Sequence, residues 1–131
     1  MKTELWMLIG TVGVLFGLLL VQSLANMATF GIGPSAGNRE DIPVAHPGIA
    51  GRAERAVRNT IEGMALFAPL VLTAAVAGIS NANTVLGAQI FFAARLVYAI
   101  VYVVGVPWLR SVVWGVGILG LGLLLMGIVT R

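Results

Sequence analysis

Four long apolar runs divide the chain: Leu5–Val21, extending to about Ala25, then Ala56–Ile79, Thr84–Val104 and Trp108–Val129. Each is close to the roughly 20 residues that a helix rising about 1.5 Å per residue needs to cross about 30 Å of hydrocarbon. The pattern predicts membrane-spanning helices over about residues 5–26, 52–79, 84–104 and 108–129. Between the first two, residues 28–51 hold five of the 17 glycines and three of the five prolines, which reads as an irregular connector or lid. The other connections, around Ser80–Asn83 and Gly105–Pro107, are tight and uncharged. Short loops make sequential helices antiparallel neighbours. The expected architecture is an all-α integral membrane protein, an up-down-up-down bundle of four transmembrane helices in a single domain over residues 1–131.

Composition supports this reading. The chain is 59% hydrophobic and 10% charged, whereas soluble domains carry about 25% charged residues. Ser23-Leu24-Ala25 resembles a signal-peptide cleavage site, but Lys2 and Glu4 cancel and the apolar run exceeds the usual length of such a segment. There is no cysteine, which excludes a disulfide, a thiolate metal site and a thiol nucleophile of the protein's own. Any thiol chemistry must use a thiol brought by a ligand. No metal site and no nucleic-acid patch is expected. Arg39, Arg52, Arg55, Arg58 and Arg110 fall on the side of the first and third loops, and Lys2 and Arg131 on the other. Positive charge favours the cytoplasmic side, so residues 28–51 are expected there and both termini outside, periplasmic for a bacterial inner membrane. Gly10, Gly13 and Gly17 include a GxxxG, expected to let helices approach closely. The glycines of the fourth segment look too scattered for one face.

The polar residues inside the apolar runs are the informative ones. Arg52, Arg55, Asn59 and Glu62 are spaced 3, 4 and 3, one stripe of the second helix, with Arg58 beside it. Arg95, Tyr98 and Tyr102, spaced 3 and 4, make a stripe on the third. Glu62 and Arg95 each lie ten residues from the same end of the bundle, roughly 15 Å deep. A charge at that depth seeks a partner, so a Glu62–Arg95 ion pair is expected. The same register sets Tyr102 level with Arg55 and Tyr98 level with Asn59. One reading is purely structural: a buried pair, with the other arginines marking the membrane boundary. The other is a ligand site, because Arg110-Ser111, Trp108 and Trp114 converge on the same end, as do Gln22 and Asn26. Arginines there suit carboxylates, Glu62 an ammonium, and phenols and amides peptide groups.

These residues resemble the MAPEG family, membrane-associated proteins in eicosanoid and glutathione metabolism. The family's Arg-Ala-x-x-Asn-x-x-Glu reads here Arg55-Ala56-Val57-Arg58-Asn59-Thr60-Ile61-Glu62, preceded by Arg52. Arg95, Tyr98 and Tyr102, then Pro107 and Arg110-Ser111, are similar to the microsomal prostaglandin E synthase and glutathione transferase branch. The chain departs from the family pattern at Gly51, where a glutamate is usual, at Pro69, later than the usual proline, and at Trp114, a tyrosine in some members. The resemblance implies a bacterial member forming a homotrimer in contact with membrane lipids. It implies glutathione as co-substrate, held by Arg55, Arg58, Asn59, Glu62, Tyr98 and Tyr102, with Arg110 and Ser111 activating its thiol. A lipophilic electrophile or hydroperoxide would be the second substrate, making the protein a transferase or peroxidase. The alternative is a non-catalytic lipid-binding or scaffold member. A small multidrug-type transporter is disfavoured, since residues 5–25 contain no acid. His46, between Pro43 and Pro47, reads as a surface residue and not as a base.

Overall fold

The computed structural model describes residues 1–38 and 48–131. Arg39 and His46 lie outside the described residues. The elements are α1 (Thr3–Phe30), α2 (Ile32–Ala36), α3 (Gly48–Val76), α4 (Ala82–Val104) and α5 (Pro107–Thr130). The four long helices are each apolar and long enough to span a membrane, as the hydrophobic runs predict.

The boundaries differ from the expected ones where the first connector was drawn. α1 continues to Phe30 and stops at Gly31, whose φ of 88° suits glycine. The short helix α2 follows, and α3 starts at Gly48, ahead of Arg52. Charge marks where a helix meets the membrane surface, not where helical hydrogen bonding begins. α4 starts with a capping box: the Asn81 side chain accepts from the Thr84 amide, and the Thr84 hydroxyl accepts from the Asn81 amide. Its end is Gly105 in the left-handed conformation, and Pro107 opens α5 at a position where its missing N–H costs nothing.

α4 and α5 approach most closely, and glycine makes the approach possible. A Cβ on Gly87 would meet the Leu124 nitrogen at 2.5 Å and the Gly120 oxygen at 2.6 Å. Gly117, Gly120 and Gly127 face α4 together with the buried Leu124, so these glycines share one face after all. Gly115 and Gly122 look into open space. On α1 only Gly10 is tight, against the Phe92 ring; a Cβ on Gly13 or Gly17 would meet nothing within 4 Å. The GxxxG of α1 therefore joins no two helices of this chain.

Two apolar clusters fill the bundle. Phe67, Val71, Ala88, Phe91, Leu121 and Leu124 pack nearer the termini, with the Phe67 and Phe91 rings stacked at 4.2 Å. Leu18, Ala56, Val57, Ala94 and Val113 pack around Tyr98 and Tyr102 at the other end. Beside the first cluster lies a polar knot. Glu4 is 3% exposed and accepts hydrogen bonds from Thr84 Oγ1 at 2.6 Å and Ser80 Oγ at 2.9 Å. Asn81 then donates to the Gly127 carbonyl at 2.8 Å, so α1, α4 and α5 are tied together at this end. Read from sequence, Glu4 only balanced Lys2; its burial is a new feature.

Candidate functional site

At the opposite end the stripes of α3 and α4 interlock. Arg52 Nε donates to the Val103 carbonyl at 3.1 Å, and Arg55 Nε donates to the Tyr102 hydroxyl at 3.1 Å. One helical turn deeper, Arg95 Nη1 donates to Asn59 Oδ1 at 2.9 Å and Nη2 to Thr60 Oγ1 at 2.7 Å. The expected levels of Arg55 with Tyr102 are thus realised as a direct contact. The aromatic rings extend the chain of contacts. The Arg95 guanidinium lies 4.3 Å over the Tyr98 ring, Tyr98 is 5.3 Å from Tyr102, and Arg110 lies 5.0 Å over Tyr102. Such cation–π contacts strengthen away from water.

Arg95 is buried as expected, at 3% exposure, but its hydrogen-bond partners are Asn59 and Thr60, not Glu62. Among the described residues, Arg95 and Glu62 form no ion pair. The reason is angular. Glu62 follows Thr60 by two residues, about 200° around a helix of 3.6 residues per turn. Thr60 faces α4 and is fully buried, which turns Glu62 outward, where it is exposed on the single chain. Thr60 is the residue that sequence reasoning missed. It sits within the Arg55–Glu62 string, and its hydroxyl was a signal available at the right depth.

Two adjoining cavities open on this network. The outer one, of about 490 Å³, is lined by Asn59, Tyr98, Tyr102, Arg110, Ser111 and Trp114. The inner one, of about 150 Å³, is lined by Asn59, Glu62, Arg95 and Trp114 together with apolar residues such as Leu66, Phe91 and Ile118. Asn59 and Trp114 belong to both walls. Glu62 and Arg95 thus share a cavity without pairing. Arg55 is exposed and reaches the outer group through Tyr102; Arg58 is exposed too, bonded to Glu54 at 3.3 Å, and lines neither cavity. Asn26 is buried and Gln22 half-buried at the end of α1, but neither lines these two cavities. Three arginines, a carboxylate, an amide, two phenols and a hydroxyl are therefore gathered around two adjoining cavities at this end of the bundle.

The family model that matches is the MAPEG family, over residues 4–130. The chain belongs to the MAPEG family. No curated protein and no solved structure matches it. The match runs across all four spanning helices of this MAPEG chain. Trp114 bounds both cavities. An indole there supplies a flat apolar wall and an N–H, but no hydroxyl.

Proposed function

We propose that this MAPEG protein is a glutathione-dependent transferase or peroxidase, working as a homotrimer in a bacterial inner membrane with its termini periplasmic. The observation that carries the reading is the outer cavity, in which a guanidinium, two phenols, an amide and a hydroxyl converge at the end of a membrane bundle. Its volume lies in the range of about 300–1,000 Å³ common for small-molecule sites, large enough for a tripeptide. The polar groups at this end fit glutathione. Arg55 and Arg58 suit its carboxylates, Asn59, Tyr98 and Tyr102 its peptide groups, and Glu62 its ammonium.

The trimer is supported by what the single chain leaves uncovered. Arg55, Arg58 and Glu62 are exposed on one side of α3, and charges at membrane depth belong in a protein interior or a watered cavity, not against lipid. A neighbouring copy laid on that face would enclose the ligand.

Arg110 and Ser111 act on the sulfur. A free thiol with a pKa of about 8.5 is only a few per cent thiolate at neutral pH. Arg110 beside the sulfur favours the anion; lowering the pKa by about two units corresponds to about 2.7 kcal/mol. Ser111 donates a hydrogen bond to the same sulfur. The thiol proton leaves to water. The anion either bonds to an electrophilic carbon, which expels its leaving group (chloride from a chlorinated dinitrobenzene), or bonds to a peroxide oxygen, whose O–O bond breaks. The peroxide route releases an alcohol protonated by water and leaves glutathione sulfenic acid, which a second glutathione converts to the disulfide and water. The second substrate comes laterally from the bilayer.

The test separates binding from activation. Arg110→Ala should abolish the ultraviolet thiolate absorbance of the glutathione complex and cut turnover of a chlorinated dinitrobenzene, while glutathione still shifts the melting temperature. Arg58→Ala should weaken binding, with saturating glutathione restoring most of the rate. An Arg110→Ala protein that turns over normally overturns the assignment. A wild type that binds glutathione without forming thiolate supports the non-catalytic lipid-binding or scaffold reading instead, which Trp114 on the cavity wall favours.

A further inference from the structure

On the side of the bundle away from the polar cavities, α1 and α4 run parallel and leave a groove of about 660 Å³ between them. Every residue lining it is apolar or glycine; Gly13, Gly17 and Leu18 form one wall, and Phe92, Leu96 and Val103 belong to the other. The groove residues of α4 lie roughly a third of a turn from Arg95, Tyr98 and Tyr102, as 3.6 residues per turn requires. On α4 the groove is therefore a different face from the one that carries the polar stripe. From Gly10 to Val21 the groove is 11 residues long, about 16 Å at 1.5 Å per residue. That is about half the thickness of a hydrocarbon core of about 30 Å, the depth of one leaflet.

Arg52 lies beside one end of the groove, next to its lining rather than part of it. Val103 lines it, and its carbonyl accepts from Arg52 Nε at 3.1 Å. Arg52 also packs against Gly105, within 3.4–3.6 Å of the position of an added Cβ. Its Nε is committed to the backbone, and among the described residues it forms no ion pair. A guanidinium fixed at the membrane-surface end of an apolar channel one leaflet deep matches a particular amphiphile. We propose that this groove is a binding site for an anionic phospholipid, one acyl chain lying along Gly13 and Gly17 and the phosphate meeting Arg52. The glycines then serve the lipid: they keep the channel open where side chains would fill it.

The structure supplies the variants. A Cβ at Gly13 or Gly17 meets nothing within 4 Å, so Gly13→Leu with Gly17→Leu starts into open space and fills the groove. Leu96→Trp narrows it from the other wall. Native mass spectrometry of the detergent-purified protein, titrated with phosphatidylglycerol or phosphatidylcholine of the same chains, reads out lipid retention and copy number together. The wild type should prefer phosphatidylglycerol by about fivefold, the equivalent of ~1 kcal/mol for one arginine near an anionic headgroup. Arg52→Gln should erase the preference but keep the lipid, and the two groove-filling variants should lose both lipids at unchanged copy number. Equal retention of the two lipids by the wild type overturns the headgroup assignment. Lipid retained by both groove-filling variants, or a fall in copy number instead of lipid, overturns the groove as the site, the latter in favour of a second copy. Glutathione is absent throughout, so failure here and failure of the proposed activity are read separately.

Discussion

Arg95 carries its charge deep into the bundle, and its nitrogens are unequally served. Nη1 and Nη2 bond Asn59 and Thr60, whereas Nε is buried without a hydrogen-bond partner. The guanidinium therefore has little reserve. Thr60→Val keeps the side-chain shape but removes the acceptor at 2.7 Å, and leaving a charged donor unsatisfied costs about 1–3 kcal/mol or more. Thermal unfolding without ligand should show that loss. Glu62→Gln should leave the unliganded melting temperature near that of the wild type, since Glu62 is exposed on the chain and does not hold Arg95. It should instead weaken glutathione binding in a titration, because an amide cannot neutralise an ammonium. Equal destabilisation by the two substitutions would restore the direct ion pair.

Between elements, the contacts that matter are those where backbone meets backbone. Gly87→Ala drives a Cβ to 2.5 Å from the Leu124 nitrogen, an atom that cannot rotate away. α4 and α5 must separate, and overpacking of this kind costs about 1–3 kcal/mol. Gly122→Ala, with nothing near its Cβ, should melt like the wild type. This contrast also shows where sequence runs out. The spans were legible because a membrane helix is a count of apolar residues. The α3–α4 register was legible because depth is a count of residues from a shared end, which set Arg55 level with Tyr102. Azimuth was not: whether Glu62 or Thr60 faces Arg95, or Gly120 or Gly122 faces α4, depends on how each helix is rotated, and packing decides that. Glu4 was hidden for a related reason, because its partners Ser80 and Thr84 lie 76 and 80 residues away.

For the whole molecule, the exposed polar face of α3 and the apolar groove of α1 and α4 make opposite demands on their surroundings. The chain has no cysteine, so single introduced thiols report each face without background. Ile61→Cys, beside Glu62 and half exposed at 50%, should cross-link copies in membranes under mild oxidation. Ile100→Cys, at the groove and 60% exposed, should not. Cross-linking at residue 100 alone would move the subunit contact to the other side of the bundle. The close approach of α5 to α4 at Gly120 has a mechanical consequence. Gly120 is a fulcrum, and the ten residues from there back to Arg110 are a lever arm of about 15 Å. Arg110 at its tip is steadied by its stacking over Tyr102, at 5.0 Å, while the other arm is clamped by Asn81 on Gly127. A rocking of about 4° swings the tip by about 1 Å, a misplacement able to cost about a hundredfold in rate. On the proposed activity, substitutions at the fulcrum should accordingly register as slow turnover although every residue of the site is chemically unchanged.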